Sequence, residues 1–337
     1  MKWKLATVLI LTTACLVWFL WGIDRDVVQV SLEGLRWRYI AATLLAYTAV
    51  HGFRSLRLAA LVGHGVTVAG VFSVNCIGYL AINVVPLRLG EFVRPYLLLE
   101  QHGVPFGASV AGVFVERLLD LASLVAMLLL VTWAVDLPAG GVVIEGVDVV
   151  QAGQLLAGAV VAVGAVGLLV IVLGGARLIA LVRALTGWMP VLGERLPGFL
   201  AAFQEGVREL AGAPKRAAWV LFNTVAMWTT QVGGVWLALM AFADVPHGWD
   251  VALTNWSVTL SGMTVMPTPG FFGSFEAFCA AGLVLFGVDG DLARTFAVIN
   301  HLTLFGFTVG IGLLFLLKEG LSLGGIIQQS REAAGAG

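Results

Sequence analysis

Three short stretches of this sequence set charged residues among prolines, glycines and long apolar runs. The first reads Asn83-Val-Val-Pro86-Leu-Arg88-Leu-Gly90-Glu91-Phe-Val-Arg94-Pro95. Pro86 has no backbone N–H and interrupts a helix, and Gly90 permits a turn that other residues resist. A helix restarting beyond this break points free N–H groups and a positive dipole end at whatever lies before it. Arg88 and Arg94 can then add charge-assisted hydrogen bonds to a phosphate, with Asn83 nearby. Glu91 and Arg94 can equally pair with each other at their i,i+3 spacing.

The second stretch, Glu116-Arg117-Leu-Leu-Asp120, puts two carboxylates on one helical face with a guanidinium beside them. Near a membrane surface this is an interfacial ion-pair cluster. Deeper, charges are costly and are expected to be paired and turned inward, either to bind something or to hold helices together. The third stretch reads Met266-Pro267-Thr268-Pro269-Gly270-Phe271-Phe272-Gly273-Ser274-Phe275-Glu276. Pro267, Pro269, Gly270 and Gly273 break a helix, and a restart near Gly273 leaves Glu276 in its first turn. There it either complements the dipole or faces a cavity as a titratable, cation-binding carboxylate.

Arg54 and Arg57 lie near the end of an apolar run, where snorkelling and topology account for them, with contact to an anionic headgroup as the alternative. The five histidines are scattered, with no pair at metal-ligand spacing, so no metal and no cofactor is expected. Cys15, Cys76 and Cys279 sit in apolar runs and read as small buried hydrophobes. No nucleotide-binding loop, nucleophile elbow or zinc signature occurs. With a net charge of −1 and no basic tail, nothing points to nucleic acid.

What must position these residues is a set of membrane helices. The chain is 59% hydrophobic and 12% charged, where a soluble domain carries roughly 25% charged residues. Its mean hydropathy is +0.96. Apolar runs long enough to span a bilayer fall at 5–23, 39–58, 107–135, 154–175, 217–243 and 292–317. The run 5–23 follows Lys2 and Lys4 and ends in Trp18-Phe19-Leu20-Trp21 without a small-residue cleavage site, so it reads as a first span. Regions 67–100 and 251–287 are apolar but interrupted.

Basic residues orient the spans. The segment 176–216 holds Arg177, Arg183, Arg195, Arg208, Lys215 and Arg216 and is assigned to the cytoplasm, as are both termini through Lys2, Lys4, Lys318 and Arg331. Segments 136–153 and 244–250 carry Asp and Glu without Lys or Arg and are assigned outside. Region 67–100 must then enter and leave from the cytoplasm, and region 251–287 from the outside. The expected fold is an all-α polytopic membrane protein with about six full transmembrane helices and two broken hairpins of opposite sidedness, each either re-entrant or a pair of short helices joined by a turn. This is the pattern of an inverted repeat. It forms one integral membrane domain over 1–337, with one repeat at 39–135 and a second at 217–317. Between them Phe199, Leu200, Phe203, Val207 and Leu210 recur at helical spacing within 176–216, an amphipathic cytoplasmic connector; 319–337 form a tail.

In their order and spacing the three motifs, with Arg54 and Arg57 ahead of them, resemble the transmembrane region of the lysylphosphatidylglycerol synthase family, also called the flippase-like domain family. The resemblance covers nearly the whole chain. It implies a module that flips a modified lipid, found in some members beside a soluble aminoacyltransferase domain and in others beside glycosyltransferase pathways. The chain stops about 20 residues past its last helix, so lysyl transfer by this chain is not expected. One departure stands out: the family's third motif continues Pro-Gly-Gly-Leu-Gly, and here Phe271 stands in place of the second glycine.

The expected function is therefore a flippase or transporter for a phosphate-bearing lipid in a bacterial inner membrane. Asn83, Arg88 and Arg94 would contact the phosphate. Glu91, Glu116, Asp120 and Glu276 would serve a cationic group, a coupling proton or structural arginines, and Arg117 is counted with them in the substrate site. The alternatives are a membrane scaffold for a glycosyltransferase or lipid-modifying enzyme, and a membrane-embedded lipid transferase.

Overall fold

The computed structural model describes residues 24–63, 65–84, 90–135, 143–144, 147–188, 196–198, 200–201, 203–205, 207–208 and 212–336. The expected span 5–23 and the break residues Pro86 and Arg88 lie outside them. The described chain is built of helices: α1 (Arg25–Glu33), α2 (Trp37–Val62), α3 (Val68–Val84), α4 (Val93–His102), α5 (Phe106–Ala134), α6 (Val149–Thr186), α7 (Pro214–Met240), α8 (Trp249–Val265), α9 (Ser274–Val284), α10 (Gly290–Lys318) and α11 (Leu323–Ala336). The one strand pairing among the described residues joins Val143–Ile144 to Val147–Asp148. The described residues between 196 and 208 are helical, and Phe203 packs edge-on against Phe114 of α5.

A four-helix pattern occurs twice. Helices α2 to α5 have 26, 17, 10 and 29 residues, and α7 to α10 have 27, 17, 11 and 29. The short second arms α4 and α9 each follow a 3-10 turn, at 90–92 and at Pro269–Phe271. Gly90, Pro269 and Gly270 thus sit at turns, as their residue types require.

The two units pack head to tail. Arg36 at the start of α2 donates its N–H to Ala241 O just beyond α7 (2.9 Å), so the first helix of one unit begins where that of the other ends. At the opposite end the Arg216 guanidinium of α7 donates to the last-turn carbonyls of α2, Leu61 O (2.9 Å) and Ala60 O. Such contacts satisfy carbonyls that a helix end leaves without partners. Helices α2 and α7 thus lie antiparallel along their length. Each broken region packs against the long last helix of the other unit. Leu80 of α3 meets Gly312 of α10, and Leu260 of α8 packs with Leu124 and Leu128 of α5.

Among the described residues one helix, α10, is long and apolar enough to cross a membrane by length and composition alone. Helices α2 and α5 are about 39 and 44 Å long at 1.5 Å per residue, but they carry ionisable side chains at mid-length. Those side chains are where the fold becomes informative.

Candidate functional site

The first break region folds its second arm close against its first. Gly90 lies against the backbone of Ala81 and Ile82, and the stem of Arg94 runs over Gly78 so closely that a Cβ there would collide with its Cγ. Gly78 is the residue that lets Arg94, on the first turn of α4, reach the interior. Its guanidinium donates to Glu116 Oε1 (2.9 Å), and at 3.5 Å to Asn75 Oδ1, whose amide donates to Ser55 Oγ (3.0 Å).

Glu116 is the centre of a larger cluster. The same Oε1 also receives Arg117 (2.8 Å) and lies 3.5 Å from Arg57, while Asp120 pairs with Arg57 (2.8 Å) and Arg117 (3.6 Å). The Arg117 guanidinium donates to the Tyr79 hydroxyl (3.2 Å), and Arg54 and Arg94 lie over the Tyr79 ring at 4.6 and 5.2 Å. Arg57, Arg94 and Glu116 are wholly buried, whereas Arg117 keeps 36% of its side chain exposed. The cluster therefore has a closed floor and one open side.

The cluster is not internally satisfied. Among the described residues, buried nitrogens of all four arginines lack a hydrogen-bond partner: Arg54 Nε, Arg57 Nε and Nη2, Arg94 Nε and Nη2, and Arg117 Nε; so does Glu116 Oε2. Buried polar atoms are almost always partnered, and charged ones most of all.

The second break region is organised differently. Thr268 and Ser274 hydroxyls meet across the turn (2.9 Å). Glu276 Oε2 reaches back to the Gly273 N–H (2.7 Å), and Oε1 lies 2.7 Å from Nδ1 of His301 on α10. The imidazole stacks on Phe275 (4.4 Å between centroids) with Phe272 at 4.7 Å. Glu276 serves the restarting helix, and it also joins a buried pair. At the turn itself Phe271 has φ +62°, flanked by Gly270 at +59°. A bulky side chain in this left-handed region is strained. The residue that replaces the family's glycine is thus held in the conformation glycine favours.

Polar and aromatic groups lie between the two regions. His51 of α2 meets Tyr79 (5.5 Å) on one side and Tyr47 (5.2 Å) on the other, and neither of its ring nitrogens has a partner among the described residues. Tyr47 lines a crevice between α2, α7 and α10 together with Thr43, Gln231 and Asn300. Among the described residues Gln231 Oε1 and Asn300 Oδ1 are also buried without partners. Asn300 is the neighbour in sequence of His301, the partner of Glu276.

The structure thus brings together Arg54, Arg57, Arg94, Glu116, Arg117 and Asp120, and sets Glu276 apart from them. Other expected contacts differ. Arg94 pairs with Glu116 on a neighbouring helix rather than with Glu91, which makes no ion pair among the described residues. Arg57 does not snorkel but is buried against α5, because Asp120 and Glu116 compensate its charge there. Asn83 turns its amide to Tyr79 O of its own helix (2.8 Å). Cys76 and Cys279 are buried and free, as read from their apolar surroundings. Sequence reasoning missed His51 and His301. The one available signal was a histidine inside an otherwise apolar helix, which marks a functional position in a membrane.

Guanidinium and carboxylate groups buried between long helices, on a four-helix unit built twice, fit the membrane protein that the sequence predicts. Residues 4–312 match the family described as the lysylphosphatidylglycerol synthase TM region, and the chain belongs to that family. It is 25% identical over 318 residues to the UPF0104 membrane protein of Methanothermobacter thermautotrophicus, covering 91% of this chain and 90% of that protein. It is 26% identical over 326 residues to the glycosyltransferase AglD of Haloferax volcanii. That match covers 91% of this chain but 49% of AglD, so the chain spans about half the length of that relative. No solved structure matches.

Proposed function

We propose that this protein moves a phosphate-bearing lipid from one leaflet of a bacterial inner membrane to the other. The observation that carries the reading is the set of buried polar atoms without partners among the described residues, on Arg57 and Arg94 at one end and on Gln231 and Asn300 in the crevice, with His51 packed between Tyr79 and Tyr47. A lipid headgroup pays a large desolvation penalty in hydrocarbon, and such unpartnered polar atoms lower it while the tails stay in lipid.

In this reading the antiparallel units are an inverted repeat, with their breaks entering from opposite faces and both termini cytoplasmic. The whole chain acts as a single membrane domain, and Pro86, Gly90, Pro267, Pro269, Gly270 and Gly273 are the points at which its hairpins bend. Transport runs downhill or draws on an ion gradient.

The test is a headgroup-accessibility assay in proteoliposomes. Inversion is expected with the wild-type protein and is expected to be lost in Arg94→Gln and in Gln231→Leu. Unchanged inversion in both variants sinks the path.

A second reading draws on AglD, a protein named as a glycosyltransferase of which this chain matches about half. There the module would hold a lipid-modifying enzyme at the membrane without transporting. Co-purification of such an enzyme from native membranes, with no inversion in proteoliposomes, would favour it. A covalently altered lipid detected by mass spectrometry after incubation with the purified protein would instead favour a transferase.

A further inference from the structure

We propose that the arginine cluster is a binding site for a dianionic phosphomonoester, the polar end of a lipid monophosphate. The proposal deepens the reading above by naming the ligand's charge, and its test is one of binding rather than transport.

The argument begins with charge. Arg54, Arg57, Arg94 and Arg117 converge on Tyr79, Glu116 and Asp120. Four permanent cations thus face two carboxylates, and among the described residues no further carboxylate pairs with them. Arginine does not shed its proton to relieve the imbalance. Two positive charges are left over, in a place where Arg57 and Arg94 are wholly buried. Arg88, in the adjoining break, lies outside the described residues and is not part of the count.

Hydrogen bonding leads to the same conclusion. One oxygen, Glu116 Oε1, receives Arg94 and Arg117 and lies near Arg57, so three guanidinium groups compete for one acceptor. The nitrogens left over, at least one on each arginine, are buried and unpartnered. What the cluster lacks is several acceptor oxygens carrying about two negative charges. A phosphomonoester supplies three such oxygens and a charge of about −1.5 to −2 at neutral pH. A phosphodiester lipid brings one negative charge and fewer free oxygens, and an aminoacylated headgroup brings a cation besides. The open side at Arg117 and Asp120 is the way in, and the floor at Arg57 and Arg94 is where the phosphate would seat.

The purified full chain should be titrated with inorganic phosphate, and with nanodiscs of phosphatidylcholine doped with phosphatidic acid or with phosphatidylglycerol. Phosphatidic acid is expected to bind about tenfold or more tightly than phosphatidylglycerol, since charge-assisted bonds to the second negative charge are gained. Inorganic phosphate that competes only weakly identifies the lipid as the source of the group. Inorganic phosphate that binds as tightly as phosphatidic acid keeps the phosphomonoester site but names free phosphate as its ligand.

Two variants separate a binding site from an ion-pair brace. Asp120→Asn removes a compensating carboxylate and is expected to tighten phosphatidic acid binding several-fold, whereas a mere brace would lose stability and gain no affinity. Arg117→Gln, on the open side, is expected to weaken binding about tenfold with the unfolding midpoint little changed. Equal affinity for the two lipids, or no binding of either by the folded wild type, overturns the proposal. Tight binding of phosphatidic acid without lipid inversion leaves this site standing and removes the transport reading. Inversion without preference between the two lipids does the reverse.

Discussion

The two break regions solve one mechanical problem with opposite chemistry. In each unit the short second arm is tied to the long helix that follows, at about the same height on both. Arg94 on the first turn of α4 meets Glu116, ten residues into α5, and Glu276 on the first turn of α9 meets His301, eleven residues into α10. In the first unit the short arm brings the cation, and in the second it brings the anion. In the first tie the cation is a guanidinium, a fork of donors with no acceptor, and in the second the carboxylate faces an imidazole, whose nitrogens can each donate or accept. One repeat concentrates donors and the other pairs groups that can exchange roles.

The sharpest way to break this contrast is to remove its centre. Glu116→Gln leaves Arg57 and Arg94 buried with Asp120 as the remaining carboxylate. Losing one partner of a buried network costs about 3–5 kcal/mol. A large drop in the thermal midpoint of the purified protein, with poor recovery from membranes, is expected; a midpoint within a degree or two of wild type would mean the cluster is not a structural centre.

Gly78→Leu comes next. It fills the space through which the Arg94 stem passes, and forcing bulk into a packed site costs about 1–3 kcal/mol. Unfolding in detergent should show that loss, and lipid phosphate binding should fall with it. Intact binding in this variant would separate Arg94 from the pocket.

Glu276→Gln probes the other unit. The amide oxygen can still accept from Gly273 N, so the stability loss is expected to be about 1 kcal/mol. The pair, however, exchanges a carboxylate for a neutral amide against His301, and inversion in proteoliposomes is expected to slow. Inversion at the wild-type rate would erase the distinction between the repeats.

The smallest effect is expected from Phe271→Gly. Relief of the left-handed backbone, about 1 kcal/mol or more, is set against the packing lost from a half-buried ring. The net change in unfolding free energy should stay within about 1 kcal/mol. A large destabilisation would show that the ring, rather than the turn, holds the second break.

What could be read from the chain and what could not divides along a physical line. Gly90, Pro267 and Gly273 act through the local backbone, so the turns before α4 and α9 are legible in the sequence, with element limits shifted by a few residues. The matching lengths of the two units follow from those punctuation marks. Arg57 was misread as snorkelling because its compensation comes from α5, far along the chain. The Glu91–Arg94 spacing suggested a pair for the same reason, since nothing local announces that Glu116 is nearer. His301 carries no spacing signal at all. Its partner is fixed by the packing of α9 on α10, which no local pattern encodes.

The last helix adds one practical consequence. Ile326 of α11 is buried with the core around α4, Tyr96 of α4 donates to Gln329 (3.0 Å), and Ser73 of α3 donates to Glu319 at the close of α10 (2.9 Å). The arm that carries Arg94 is therefore moored to the chain's final turns. A tag or domain fused past Ala336 is therefore expected to disturb the seating of Arg94, and comparing lipid phosphate binding of tagged and tag-cleaved protein measures that coupling.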